Sequence, residues 1–363
     1  MKQLNSRHLI FVILGISIVS LKTYPNIIIL FGGRDSWIAV LIASIITFLF
    51  TIYLLFICKK TETYNIYEIY DFALGKKLST ILLSLLYLTI FLTLIECSSI
   101  EASSIHENLF VETPPWYILI FFVVVGFYSI NKGLNAVIII TIIGISFIML
   151  AGMNLGIMTI KFKDNKFLFP ILENGFDLKF LIATIKSLGG YSSVFLFLSF
   201  LPNLDIKERK YLTKSVIIAL IIVIQMEIVS MAGIITTFGP KRALNIWYPK
   251  LIQTQLVGYF GFLESGEFFV MLQMVGGWFV KYLLTFYTLL TLSKEFNFLN
   301  KYTTLIISIL VYIISFFIVR NAFSLLKFIN YYNYISLINF VILPFFVFTL
   351  FVVKFNKKQK KPF

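Results

Sequence analysis

Charged residues, histidine and cysteine are all scarce in this sequence of 363 residues. Asp, Glu, Lys and Arg make up 13% of it, whereas an average soluble domain contains about 25%. With two histidines and no His-Glu-x-x-His, Walker or dinucleotide-binding motif, the sequence offers no pairing of nucleophile and base and no metal or cofactor site. Cys58 lies at a helix end and Cys97 in mid-segment, so a disulfide framework is not expected. We therefore expect that the protein is not an enzyme.

Apolar residues dominate the sequence instead. They make up 59% of the chain and gather in runs of about 20 residues, the length of a helix that crosses a bilayer. We predict an all-α polytopic membrane protein: one transmembrane domain of ten helices, followed by a basic cytoplasmic tail at 354–363. The ten predicted segments cover residues 8–31, 35–57, 79–105, 116–131, 134–160, 176–201, 214–239, 266–292, 303–319 and 331–353.

The net charge of +14 lies mainly in the short connections and in the tail. With the N-terminus inside, the inner connections hold about twice as many Lys and Arg residues as the outer ones, so the positive-inside rule places both termini in the cytoplasm. The lysines from Lys354 to Lys361 then form a topology anchor on the lipid bilayer. No nucleic-acid partner is expected.

Two of the apolar segments carry residues that interrupt helices. The sixth contains Gly189-Gly190-Tyr191 followed by two serines, and the first contains Gly15-Ile16-Ser17 and Pro25. Freed backbone groups at membrane depth are tolerated only beside protein or a wet cavity. Interrupted helices five segments apart are typical of a five-plus-five inverted repeat with its ligand site at the repeat interface. We predict broken helices 1 and 6 in repeats over about 8–160 and 176–353; alternatively, the small residues only allow close helix packing.

Polar residues form one face on the third segment and one on the eighth. A charged side chain at membrane depth is costly, so it faces the bundle interior and has a partner. We predict that Lys281 neutralises Glu96 or meets a carboxylate ligand, with Lys22 as its rival. The alternatives are a purely structural Glu96 and lysines that extend to the membrane interface. The two faces are Thr89, Thr93, Glu96, Ser99, Ser103 and His106, and Gln273, Gly277, Lys281, Thr285 and Thr288.

Two connections are longer than turns. Residues 61–78 are predicted to form an amphipathic helix along the inner membrane surface. Residues 240–265, which include Trp247-Tyr248-Pro249, are predicted to be an outer interfacial segment, because aromatic residues favour the headgroup region.

Four motifs, in their order and spacing, resemble those of the B subunit of bacterial spore germinant receptors, a branch of the amino acid–polyamine–organocation transporter superfamily. The resemblance covers essentially the whole chain. The motifs are Gly33-Arg34-Asp35-Ser36-Trp37, Leu74-Gly75-Lys76, Phe200-Leu201-Pro202, and Trp247-Tyr248-Pro249 followed by Phe262-Leu263-Glu264 and Glu267.

This resemblance implies a ten-helix inverted-repeat protein in the inner membrane of the spore, in complex with an A subunit and a lipoprotein C subunit. It implies a sensor of a small nutrient, typically an amino acid or a sugar, that triggers germination. In the family, the ligand pocket lies between helices 1, 3, 6 and 8. Carried over to this chain, the ligand-binding residues are Gly15, Ser17, Glu96, Ser99, Gly189, Gly190, Tyr191, Gly277, Trp278 and Lys281.

The sequence departs from the family pattern at a few positions. Gly15-Ile16-Ser17 stands where the family often has Gly-x-Gly, and Ser265 where it commonly has Arg. Lys22 and Lys281 are additional cations at membrane depth. The first departure bears on the position of the break in helix 1, and the lysines bear on the identity of the ligand.

The leading hypothesis is a sensor that binds a small zwitterion. Its carboxylate would meet freed N–H groups at the breaks, where helix dipoles are positive. Tyr191 and Trp278 would cover its side chain, and Glu96 or water would meet its ammonium. The alternative is a secondary transporter of amino acids or polyamines, coupled to protons through Glu96 or Lys281. A scaffold that only anchors partner subunits is a third class.

Overall fold

The computed structural model describes residues 4–173, 175–257 and 267–359, and this part of the chain is built from helices without a β-sheet. The α-helices are α1 (Ser6–Ser17), α2 (Ser20–Thr23), α3 (Asn26–Gly32), α4 (Ser36–Thr61), α5 (Ile66–Leu74), α6 (Lys76–Asn108), α7 (Pro115–Asn131), α8 (Leu134–Met158), α9 (Leu178–Tyr191), α10 (Leu212–Leu244), α11 (Pro249–Gln255), α12 (Glu267–Glu295), α13 (Thr303–Val319), α14 (Ala322–Leu337) and α15 (Leu343–Gln359).

Among the described residues, seven helices are long and apolar enough to cross a membrane by length and composition. Three more apolar helices are shorter: α1, α7 and α13. The prediction of an all-helical membrane protein is confirmed in this general form. Its arrangement as ten helices in two inverted repeats stays a prediction.

Contacts between the connections divide the molecule into two sides. On the near side, which carries both ends of the described chain, Leu4 pairs with Leu204 through a single β-bridge. There the Nδ2 atom of Asn65 also donates to Glu295 at 3.1 Å. These contacts bring the start of the chain, the α4–α5 connection and the C-terminal end of α12 to one surface.

The far side holds the connections at the other ends of the helices. Arg34 and Glu173 form an ion pair there at 3.4 Å, and the rings of Trp247 and Phe323 lie 6.1 Å apart. The α3–α4 connection therefore meets the α8–α9 connection, and the α10–α11 connection meets the start of α14.

The first apolar segment is divided into α1, α2 and α3. After Ser17 the backbone bends at Ile18 and Val19, and α2 is a single turn. Tyr24 then leaves the helical region with φ −127° and ψ 60°, because a residue before proline is excluded from the α conformation. The interruption predicted for this segment thus lies just after Ser17, with a second joint at Tyr24–Pro25.

The sixth segment is not unwound at its two glycines. Helix α9 continues through Gly189 and Gly190 to Tyr191, and the chain then winds as a 3-10 helix over Ser192–Asn203. The N–H of Ser192 donates to the carbonyl of Gly189, as this tighter winding requires. The sixth segment therefore changes its winding, and the N–H groups that were expected to be free are used within the helix.

Both long connections contain a short helix. In 61–78, α5 begins at the cap formed by Asn65 and buries Ile69 and Tyr70. In 240–265, Gly239 (φ +69°) and Pro240 bend α10 near its end, and α11 follows. The rest of the predicted outer segment and the Phe262-Leu263-Glu264 motif lie outside the described residues.

Helix α12 packs against the first segment at distances that suit glycine. A Cβ atom on Gly277 would collide with Cγ1 of Val19, and one on Gly15 would lie 2.7 Å from Cγ1 of Val280. Small residues at membrane helix contacts let backbones approach closely. These two glycines therefore set the separation between α12 and the interrupted segment.

Replacing Gly277 by Ala should destabilise the protein by about 1–3 kcal/mol, because the added Cβ would collide with Cγ1 of Val19, a β-branched side chain with few alternative rotamers. Gly156→Ala is the matched control, since an added Cβ there meets nothing within 4 Å; it should stabilise helix α8 by up to about 1 kcal/mol. Thermal unfolding of the purified proteins in detergent measures both. Equal shifts at the two positions would contradict the tight contact.

Candidate functional site

Glu96 of α6 and Lys281 of α12 form an ion pair in the middle of the bundle. The Nζ atom of Lys281 donates to Oε2 of Glu96 at 2.7 Å, and both residues are fully buried. Each charge would cost several kcal/mol in this setting without a partner. The pairing predicted from the two polar faces is therefore present, and Lys281 is the cation that neutralises Glu96.

The first segment contributes two residues to this ion pair at its second joint. Tyr24 donates a hydrogen bond from Oη to Oε1 of Glu96, and Trp278 donates from Nε1 to Oγ1 of Thr23 at 3.1 Å. The rings of Tyr24 and Trp278 stack with centroids 6.2 Å apart, and the Lys281 ammonium lies 4.9 Å from the Trp278 ring centroid. We call Thr23, Tyr24, Glu96, Trp278 and Lys281 the central cluster.

Further hydrogen bonds continue along the same face of α6. They join the helix to α14, to the π-helical turn after it and to the start of α11. The predicted polar face is therefore a contact surface whose hydroxyls have protein partners at several depths. The bonds are Thr93 with Tyr332 at 2.9 Å, Asn339 to Thr89 at 2.9 Å, and Tyr248 to Ser103 at 2.9 Å.

Two predicted site residues carry hydroxyls without a hydrogen-bond partner among the described residues. They are Ser17, at the end of α1, and Ser99, one turn from Glu96 on α6. Both are buried. Buried polar atoms in proteins almost always have a partner, so these two hydroxyls are available to a polar ligand or to water.

Gly189 and Gly190 lie at contacts between helices. A Cβ atom on Gly189 would collide with the carbonyl oxygen of Asn333 in α14, and one on Gly190 with the side chain of Leu21 in α2. The space that these glycines leave is filled by protein. Gly190 nevertheless borders the short helix that leads to the central cluster.

Tyr191 contacts helix α4, whereas the sequence analysis expected it to cover the side chain of a ligand. Its hydroxyl lies 2.6 Å from the hydroxyl of Ser44 in α4. The ring is thus held against the second apolar segment, whereas Trp278 lies against α2. The two aromatic residues that were expected to cover one ligand side chain therefore have different contacts in this state.

The central cluster is closed. A cavity of about 10 Å³ lies beside Tyr24, and one of about 20 Å³ beside Thr23. Each has room for about one water molecule. A ligand larger than water therefore needs the helices around the cluster to move apart.

Thr23 and Tyr24 are members of the cluster that the sequence analysis missed. Pro25 was recognised as a kink, but the residue before it was not considered. The signal was present, because the residue before a proline leaves the helix and a tyrosine at membrane depth needs a hydrogen-bond partner for its hydroxyl. Tyr332 and Asn339 gave no such signal.

Removing either member of the ion pair should destabilise the protein more than removing both. We expect Glu96→Gln and Lys281→Met each to cost about 3–5 kcal/mol, since each removes the opposite charge from a buried ion. The double variant should cost less than either single variant, so the coupling free energy should exceed about 3 kcal/mol. Denaturation of the four proteins in detergent gives this coupling.

The matched control is the neutral pair Ser98 and Ser315, whose hydroxyls lie 2.8 Å apart between α6 and α13. Ser98→Ala and Ser315→Ala should couple by about 0.6 kcal/mol, as is usual for hydrogen bonds between membrane helices. Similar coupling in both cycles would mean that Glu96 and Lys281 are not charged together.

Comparison with known proteins shows the family of this chain. The model of a family described as spore germination protein matches residues 3–324, a range that contains the whole central cluster. Spore germination protein XB of Bacillus anthracis is 25% identical over 251 residues, which is 69% of each chain. The family is one of transporter- or receptor-like membrane proteins and not of enzymes. The chain belongs to the spore germination protein family.

Proposed function

We propose that this protein is the B subunit of a spore nutrient germinant receptor, and that it binds an amino acid within the membrane to trigger germination. Family membership supports the biological process. The central cluster supports the binding role, because buried charges in transmembrane segments mark ligand or ion sites. The observation that carries the proposal is the 2.7 Å pair of Lys281 with Glu96 beside the divided first segment.

A zwitterionic amino acid carries the same two charges as this ion pair. Its carboxylate can replace Glu96 as the partner of Lys281, and its ammonium can replace Lys281 as the partner of Glu96. Both buried charges then stay compensated while the ligand is bound. The ring of Trp278 offers an apolar wall, and the hydroxyls of Ser17 and Ser99 offer further hydrogen bonds.

Binding requires α2 to move away from α12, because the present cavities hold about one water molecule each. The joints at Ile18–Val19 and Tyr24–Pro25 let α2 shift while α1 and α3 stay helical. The ligand stabilises the open state only in proportion to its differential affinity for the two states. The open state is then the signal.

The surroundings of the receptor follow from the same proposal. We place the protein in the inner spore membrane with both termini in the cytoplasm, as ten helices in two inverted repeats and in complex with A and C subunits. The lysine-rich connections on the near side support this orientation. Helix α5, which packs on α6 and α15, or the outer segment would pass the change to the partners. The lysines of the near-side connections and of the C-terminal end include Lys59, Lys60, Lys76, Lys77, Lys207, Lys210, Lys354, Lys357 and Lys358.

A proton-coupled transporter of amino acids or polyamines is the second candidate. The observation in its favour is the succession of polar pairs along α6, in which Thr93 and Thr89 bond to side chains on the tenth segment. Chains of ionisable residues carry protons in pumps and transporters, and Glu96 would be the ionisable member of this succession. The ligand site would be the same, with a complete transport cycle added.

Spores that carry Glu96→Gln together with Lys281→Met should lose their germination response to single amino acids. The double change removes the two charges while keeping side-chain volume, so the protein should still accumulate in the membrane. Germination against a panel of amino acids, with the protein level measured in parallel, tests this. Ser98→Ala spores are the control, because Ser98 is buried on α6 but faces α13. A normal response of the double variant at normal protein level would exclude the central cluster as the site.

Counterflow in proteoliposomes separates the receptor from the transporter. A receptor should bind labelled amino acid without exchanging it across the bilayer, whereas a transporter should accumulate label against unlabelled amino acid inside. We expect no counterflow by the wild-type protein above that of empty liposomes. Counterflow that the Glu96→Gln/Lys281→Met variant abolishes would establish the transporter instead.

A further inference from the structure

A groove with a volume of about 590 Å³ opens on the far side of the molecule. Its walls are α3, α9, the end of α10 with the residues after it, and α14. This volume lies within the range of small-molecule sites. The far-side groove shares no residue with the central cluster, although Trp247 and Leu326 also line the small cavity beside Tyr24.

Lys186 is the buried cation of the far-side groove, whose lining also includes the exposed Lys327. Lys186 is 3% exposed, donates from Nζ to Oδ1 of Asn330, and lies 5.2 Å and 4.9 Å from the ring centroids of Phe31 and Tyr334. No carboxylate lies within ion-pair distance of it among residues 4–173, 175–257 and 267–359. An amide and two ring faces compensate a buried ammonium less well than a carboxylate does. Lys186 is therefore suited to an anionic ligand group.

Asn26 offers the complementary group. Its Nδ2 atom donates to the backbone carbonyls of Leu244 and Ile246, which fixes the orientation of the amide. Its Oδ1 atom is buried and has no hydrogen-bond partner among the described side chains and backbone. A buried acceptor without a donor is rare, and the missing donor is what an ammonium group supplies.

The remaining walls are mostly apolar. Trp247, Phe323, Leu30 and Leu326 line the groove. Aromatic and aliphatic walls around a few fixed polar groups are the usual composition of a site for a small organic ligand.

We propose that the far-side groove is a second binding site, for an apolar or aromatic α-amino acid. The carboxylate binds Lys186, the ammonium binds Oδ1 of Asn26, and the side chain lies against Trp247 and Phe323. An anionic lipid would also satisfy Lys186, and the nanodisc composition in the experiment below separates a lipid from an amino acid. This inference does not depend on the proposed receptor function, since binding alone tests it.

The test uses the full chain in phosphatidylcholine nanodiscs with Leu326→Cys in the groove or Ser324→Cys on the exposed surface of the same helix. The native Cys58 and Cys97 are buried, so a thiol reagent reports on the introduced cysteine. L-Phenylalanine should slow labelling of Leu326→Cys and leave Ser324→Cys unchanged. Two analogues test the two charges: phenylacetate lacks the ammonium, and phenethylamine lacks the carboxylate. Each should need a roughly tenfold higher concentration than L-phenylalanine to slow labelling equally.

In the Leu326→Cys protein, Lys186→Met should raise the phenylalanine concentration needed to slow labelling by roughly tenfold or more. Lys186→Arg should restore part of the protection. Lys179→Met is the control, because Lys179 is an exposed lysine of the same helix. If Lys186→Met fails to fold, Asn26→Leu must weaken protection by phenylalanine and phenethylamine but not by phenylacetate.

Three results would overturn the proposal. The first is equal protection of the two cysteine positions, and the second is protection that Lys186→Met leaves unchanged in a folded protein. The third concerns labelling of Leu326→Cys without amino acid. It is labelling that is slower in nanodiscs of phosphatidylglycerol and phosphatidylethanolamine than in nanodiscs of phosphatidylcholine. That last result would show that a membrane lipid fills the groove.

Discussion

The buried pair of Glu96 and Lys281 is the interaction on which the rest of the structure depends. Two charges away from water are tolerated only at contact distance and with their remaining hydrogen bonds satisfied. Tyr24 supplies one of these bonds to Glu96, and Pro25 favours the non-helical backbone of Tyr24. The interruption of the first segment thus contributes to the compensation of the charges on α6 and α12. Gly277 completes the arrangement, since its lack of a side chain lets Val19 approach α12.

The molecule holds two buried lysines in different surroundings. Lys281 has a carboxylate at 2.7 Å, so a ligand must compete with Glu96 or exchange partners with both residues. Lys186 has an amide and two aromatic rings, so an anion there would add a partner without displacing a charge. Occupying the central cluster therefore requires a conformational change, whereas occupying the far-side groove requires little. The two lysines therefore lie in different settings, one in a closed centre and one in a groove on the far side.

The parts of the structure that the sequence predicts are those set by strong, local rules. The cost of charge in lipid predicted that Glu96 has a cationic partner, and helical periodicity placed Lys281 on a suitable face. The meaning of Gly190 could not be predicted, because a glycine pair clears space equally well for a ligand or for a neighbour such as Leu21. The change to 3-10 winding at Ser192 was also hidden, since α and 3-10 helices share nearly the same backbone angles. Lys186 lies close to these glycines in the sequence, but only the fold places Asn26 and Tyr334 around the same groove as Lys186.

The divided first segment lies between the two sites. Helix α3 forms a wall of the far-side groove through Ile27 and Leu30, while Thr23 and Tyr24, directly before it, bond to Trp278 and Glu96. A ligand that shifts α3 therefore changes the position of the joint that closes the central cluster. If the groove and the cluster both bind amino acids, their affinities are linked through this joint. The linkage is reciprocal, because an amino acid in the cluster changes the affinity of the groove by the same factor as an amino acid in the groove changes the affinity of the cluster. Such coupling makes a sharp response to nutrient possible without transport, which a rigid scaffold could not provide.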